Sequence, residues 1–196
     1  MVFGTHGGLS KIEIVKVLDG GKKLQKVAAV DIKISSAVIH LDWSSDGNTV
    51  AVNSEAFELM WLDVNTKKVL NASSVKDTDW YTWTARLGFP VQGIWPPCSD
   101  YMDTNSVCRS NARTIVATAD DNSKVNIFRY PCTVEHAGFT QYMGHSSHVT
   151  KVKFSHDDRF LVSTGGNDKT VLIWETDFGF GDDTHAQADS QHEELK

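Results

Sequence analysis

The sequence predicts an all-β chain assembled from WD-repeat β-propeller blades, about three complete and one partial, and three observations carry that reading. Gly144 to Glu175 reads as one whole blade: a Gly-His pair, an alternating strand, a polar turn, a second strand, a Gly-Gly-Asn-Asp-Lys turn and a third strand ending near Trp174. Trp43 to Val52 lies over Phe154 to Ser163 without a gap. Arg113 to Phe128 lies over Arg159 to Trp174, also ungapped, at an offset of 46. Recurrence at such an interval marks a repeated supersecondary unit. Propellers close with about four to eight blades, so these blades are expected to form part of a larger propeller.

In chain order, residues 1–27 read as a partial blade. Gly4, Gly7 and Gly8 make a turn, Ile12, Ile14 and Val15 alternate as a strand, and Asp19 to Lys23 turn the chain into an outer strand from Leu24 to Val30. A start in mid-blade is expected of a piece of a longer protein. Residues 28–76 form the second unit. Lys33-Ile34 stand where Gly-His stands in the last blade, and Asn53 stands opposite Thr164, so apolar packing of Val38, Leu41, Trp43, Val50, Val52, Leu59 and Trp61 is expected to hold this blade.

Residues 77–143 hold an aromatic insert followed by the third blade. Its strands are expected at Asn105 to Arg109, in the hairpin Arg113 to Phe128, and near Gly138 to Met143. Thr118 keeps a hydroxyl, Asn122 falls at the Asp168 position, and Phe128 replaces the tryptophan. Residues 144–175 are the complete blade. Residues 176–196 lose periodicity and are polar and acidic, which predicts a disordered tail; His185 and His192 within it read as solvated, not as metal ligands.

His145, Thr164, Asp168 and Trp174 are placed for a buried relay from tryptophan to hydroxyl to histidine to aspartate. Buried polar groups need partners, and a connected set also fixes strand register. A hydroxyl, a histidine and an aspartate are also the parts of a hydrolase triad. No nucleophile turn accompanies them here, and only the relay explains Trp174, so no catalytic, cofactor or metal residue is assigned.

The insert Asp77 to Pro97 concentrates Trp80, Tyr81, Trp83, Phe89 and Trp95. Two readings stand. The rings seal a groove between blades, or Trp80, Tyr81, Trp83 and Trp95 form a platform for a protein partner, since such rings are enriched at binding hot spots.

Of 196 residues, 40% are apolar, enough for a real core. The formal charge is −6. Asp177, Asp182, Asp183, Asp189, Glu193 and Glu194 face only Lys196 in the tail, which leaves the blades close to neutral. With no Lys/Arg cluster, nucleic acid is not an expected partner. Cys98, Cys108 and Cys132 form neither a C-x-x-C pair nor an even set, which fits a reducing compartment. No apolar run approaches the ~18–20 residues of a membrane span, and the N-terminus does not read as a signal peptide; a cytoplasmic protein is expected.

Several strings lie outside the general WD pattern: Asp79-Trp80-Tyr81-Thr82-Trp83 with Leu87-Gly88-Phe89, Gly93-Ile94-Trp95-Pro96, Val107-Cys108-Arg109-Ser110, Ala119-Asp120-Asp121 and Tyr130-Pro131-Cys132. Together with Gly144 to Thr150, Ser163 to Gly166 and His40 to Ser44, they resemble the C-terminal end of the echinoderm microtubule-associated protein-like (EMAP-like) family over residues 2 to 176. The resemblance implies tandem propellers that bind tubulin and microtubules, with this chain as the last blades of the second. It implies a cytoplasmic, cytoskeletal setting, with cilium and axoneme as a further one. The family's N-terminal coiled coil, basic region and hydrophobic motif, where much of its microtubule affinity is expected, do not appear in this sequence. The alternative is a general WD scaffold for another complex, since a fold does not name a partner. Candidate contact loops are Ser44 to Asn48, Asp120 to Lys124, Ser155 to Asp158 and Asn167 to Lys169.

Overall fold

The structure, a computed structural model, describes residues 2–4, 11–95 and 103–177, with backbone alone for 2–4. The Gly4–Gly8 turn, Cys98 and the acidic tail beyond Asp177 therefore lie outside the described residues, wholly or in part.

Four antiparallel sheets follow one another along the chain. The first holds β1 (Val2–Gly4), β2 (Lys11–Leu18) and β3 (Lys23–Asp31). The second holds β4 (Val38–Trp43), β5 (Thr49–Ser54), β6 (Leu59–Asp63) and the short β7 (Val69–Leu70). The third holds β8 (Thr104–Arg109), β9 (Ile115–Asp120), β10 (Lys124–Arg129) and β11 (Phe139–Met143). The fourth holds β12 (Val149–Phe154), β13 (Phe160–Gly165) and β14 (Val171–Glu175). Strands pair with their sequence neighbours throughout, the meander of propeller blades.

In blades 2, 3 and 4 the turn after the first strand is built alike. Ser44 N–H donates to Thr49 O, Ser110 N–H to Ile115 O and Ser155 N–H to Phe160 O. The third residue after each serine has a left-handed φ: Gly47 at 71°, Arg113 at 60° and Asp158 at 56°. Only blade 2 uses the residue that adopts this conformation freely.

These turns correct the ungapped match between the last two blades. Arg113 takes the place of Asp158, not of Arg159. Further on, Phe128 faces Val116 as Trp174 faces Leu161, so β10 keeps the original offset. The difference is one extra residue in the turn between β13 and β14. A one-residue slip of a strand flips every side chain to the other face, so the hydroxyl positions must be reassigned.

Three apolar seams join the blades. Ile12, Ile14, Val30 and Ile32 pack on Val50, Val52 and Leu62 between the first and second sheets. Cys108, Ala117, Ala119 and Val125 pack on Val149, Val152, Phe154 and Leu161 between the third and fourth. Between the second and third lies the insert, which carries a short helix α1 (Ala72–Val75) at its approach and a 3₁₀ stretch at Phe89–Ile94. Its Trp80, Trp83, Ala85, Val91, Ile94 and Trp95 form one cluster with Ala51 and Trp61 on one side and Val107, Val116 and Phe128 on the other.

The buried relay and the candidate interaction faces

In the last blade the relay forms around Ser163. Trp174 Nε1–H donates to Ser163 Oγ at 2.8 Å, Ser163 Oγ lies 2.7 Å from His145 Nε2, and His145 Nδ1 lies 3.2 Å from Asp168 Oδ2 and 2.8 Å from Thr170 Oγ1. The Asp168 carboxylate can only accept, which puts a proton on Nδ1; with the ring neutral, Nε2 then accepts the serine proton while the serine oxygen accepts the Trp174 N–H. Burial alone would raise the Asp168 carboxyl, but the N–H groups of Thr170 and Ser146, the Thr170 hydroxyl and His145 hold it below the ordinary aspartate value. Two glycines make room: a Cβ on Gly144 would meet Trp174 Cη2 at 2.9 Å, and one on Gly165 would meet Asp168 Oδ1 at 1.8 Å.

Thr164 is therefore not the relay hydroxyl. Its side chain bonds Thr150 Oγ1 at 2.8 Å on the opposite face of the strand, because neighbouring strand residues point to opposite faces. Sequence reasoning stopped one residue too late; Ser163 is reached by counting in twos from the core residue Leu161.

Register extends the correction to the other blades. Ser163 faces Val152 as Thr118 faces Val107 and Val52 faces Leu41. Thr118 thus sits at the hydroxyl position, as the equivalent of Ser163. In blade 2 the tryptophan position belongs to Leu62, which faces Val50 as Trp174 faces Leu161, whereas Trp61 faces Ala51 and enters the insert cluster.

The relay has the distances of a hydrolase triad, but Ser163 is fully buried and its oxygen is occupied by the Trp174 N–H. Geometry therefore supplies no exposed nucleophile there. Among the described residues no group of three His, Cys, Asp or Glu could hold a metal, and no helix is long and apolar enough to cross a membrane.

Of the four aromatics offered as a partner platform, Trp80, Trp83 and Trp95 are buried and Tyr81 alone is open, at 69% exposure. The buried three correct the platform reading, because both blade surfaces flanking the insert are apolar and take up the rings. Trp80 meets Trp83 edge to face at 5.2 Å, the offset geometry that ring quadrupoles favour.

Polar fasteners that the sequence did not single out hold the insert. Asp42 on β4 is fully buried and accepts from Thr82 Oγ1 at 2.8 Å, Thr84 N–H at 2.9 Å and Ala85 N–H at 2.9 Å. Arg109 on β8 donates from Nη2 to Tyr81 O at 2.6 Å and stacks over Tyr130. Asp158 ties blade 4 to blade 3, accepting from Asn111 N–H at 2.8 Å and Ala112 N–H at 2.7 Å. At the surface Arg113 pairs with Asp79 at 2.7 Å.

Antiparallel meanders place alternate turns at opposite ends of the blades. Ser44 to Asn48 and Ser155 to Asp158 lie at one end, with Tyr81, Asp79 and Arg113. Asp120 to Lys124 and Asn167 to Lys169 lie at the other. The four candidate loops belong to two faces, not one.

Repeated three- and four-stranded meanders joined by inter-blade seams, with a Trp-Ser-His-Asp relay in the last, define a β-propeller of the WD type. A family model described as the echinoderm microtubule-associated protein second beta-propeller matches residues 3–176. The chain belongs to the EMAP-like family. It is 46% identical over 176 residues to mouse echinoderm microtubule-associated protein-like 3, covering 89% of this chain and 19% of that protein. It is 45% identical over 176 residues to human echinoderm microtubule-associated protein-like 4, covering 89% and 18%, and 39% identical over 175 residues to mouse echinoderm microtubule-associated protein-like 1, covering 89% and 21%. The chain spans about a fifth of the length of these relatives.

Proposed function

We propose that these blades are a non-enzymatic binding segment of a microtubule-associated protein, meeting tubulin or microtubules through turns at one end of the propeller and serving the organisation of the microtubule cytoskeleton. Family membership carries the reading: the relatives bear microtubule association in their names. The end bearing Tyr81 is the favoured face, because it presents an exposed aromatic ring on a backbone held by the Asp42 and Arg109 bonds. A cytoplasmic, microtubule-bound location follows from the same reading, with the cilium as one setting.

A second reading, a WD scaffold for another complex, axonemal or otherwise, is favoured by charge. A chain at −6 has no net electrostatic attraction for an acidic lattice. Co-pelleting of the chain with polymerised tubulin at low and physiological salt decides between them. Pelleting that survives salt supports tubulin contact in these blades, and a folded chain that stays in the supernatant supports the scaffold.

A further inference from the structure

Three segments converge on a small cavity at the Tyr81 end: the irregular insert chain at Tyr81–Thr84, the end of β8, and the end of β12 with its turn. Its volume is about 230 Å³, below the ~300–1,000 Å³ of drug-sized sites and suited to one side chain. Tyr81, Lys153 and His156 line it together with Trp83 and Arg109.

Two donors in this lining have no acceptor among the described residues, the Nε1–H of Trp83, which is 1% exposed, and the Nε–H of Arg109, which is 7% exposed. Buried donors are almost always satisfied, and both of these belong to residues that line the cavity, Arg109 with its Nη groups turned to Tyr81 O and the Tyr130 hydroxyl. The nearby buried carboxylates do not supply an acceptor. Asp42 is taken up by Thr82, Thr84 and Ala85, and Asp158 by Asn111 and Ala112. Arg109 and the exposed Lys153 add positive charge to an otherwise acidic chain.

We propose that this cavity takes a carboxylate side chain from an acidic peptide segment of a protein partner, with Lys153 and Arg109 facing the charge and the Tyr81 ring covering the segment's aliphatic stem. Charge-assisted bonds from such donors are the stronger kind. The inference rests on the reading of the blades as a protein-binding segment, but not on tubulin as the partner.

The test is fluorescence anisotropy of a labelled octaglutamate peptide with the whole chain, and with octaglutamine as control. Octaglutamate should bind and weaken with salt, octaglutamine should not bind, and Lys153→Glu and Tyr81→Ala should each weaken binding roughly tenfold or more. Both side chains are exposed, and an unchanged urea midpoint shows the variants folded. Equal binding of the two peptides, no binding of octaglutamate, or variants that bind like the parent overturns the proposal. Displacement of the peptide by millimolar inorganic phosphate or acetate as readily as by excess octaglutamate also overturns it, in favour of a free anion. Because no tubulin is present, failure here leaves the pelleting result standing.

Discussion

Blade 2 and blade 4 hold the same backbone by opposite means. In blade 4 the inner face carries His145, Ser163 and Trp174, joined by hydrogen bonds. In blade 2 the matching positions are Ile34, Val52 and Leu62, which meet in one apolar cluster. The anchoring half survives in both: Asp168 accepts the Ser146 N–H at 3.1 Å, and Glu58 accepts the matching Ser35 N–H at 3.0 Å. The Ser54 hydroxyl foremost, with the Ser35 amide, holds the Glu58 carboxyl below its ordinary range. A carboxylate thus tethers the loop before the first strand in both blades, while the three relay positions carry a connected polar network in one and apolar side chains in the other. A half-built network is the state to avoid, since an orphaned buried group costs about 1–3 kcal/mol.

That contrast can be broken most severely where blade 2 meets the insert, since the largest apolar cluster lies there, beside the Asp42 bonds. Trp83→Ala should cost about 3–5 kcal/mol, read as a lowered urea midpoint, through lost burial and the cavity left behind. A midpoint that barely moved would show that the insert does not join blades 2 and 3 energetically.

The two histidines buried among the described residues sharpen the contrast next. His145 has partners at both ring nitrogens, whereas His40 Nδ1 has none among the described residues. Burial foremost, then Lys151 and Arg86, lowers the His40 pKa from 6.5 to about 4. Below pH 6.5 the unfolded chain binds this proton and the folded chain does not, so stability falls as pH drops from 6.5 towards 4, by roughly 3 kcal/mol over the window. Denaturation midpoints across that range should fall less steeply for His40→Leu than for the parent.

Within blade 4, Ser163→Ala should cost about 1–3 kcal/mol, because it leaves the Trp174 N–H and the His145 nitrogen unpaired. Thr164→Ala, the position that residue order first indicated, should cost less. Equal losses in equilibrium denaturation would undo the assignment of Ser163 to the relay. The smallest change is expected from the largest edit. Rebuilding blade 4 on the plan of blade 2, with His145→Ile, Ser163→Val and Trp174→Leu together, removes donors and acceptors as a set and should shift stability by no more than ~1–2 kcal/mol.

The blades were legible because strand alternation and turn chemistry repeat. Gly47 and Asp158 hold one turn position in the ungapped match of blades 2 and 4, whereas Arg113 reaches it only after a one-residue shift that the backbone reveals. Four residues were named for the relay, and the structure joins three of them. The fourth failed because Ser163 and Thr164 are adjacent hydroxyls, and only strand parity decides which faces the core. Trp61 shows the same parity, since a tryptophan one residue early in the strand belongs to the other face. The insert's composition showed that its rings needed cover, but not that two blades would supply it. Asp42, Asp158 and Arg109 escaped notice because their partners are mostly backbone groups, which leave no trace in side-chain patterns.

Asp42 has a consequence for the order in which the chain is made. It leaves the ribosome 40 residues ahead of Thr82, 42 ahead of Thr84 and 43 ahead of Ala85. Until those arrive, the carboxylate has only water to satisfy it, and β4 cannot bury the face it shares with Ala51 and Trp61 without stranding a charge. The second blade is thus not a finished unit when its last strand has been synthesised. Its completion waits for a segment that equally belongs to the third, so the two blades mature as one event.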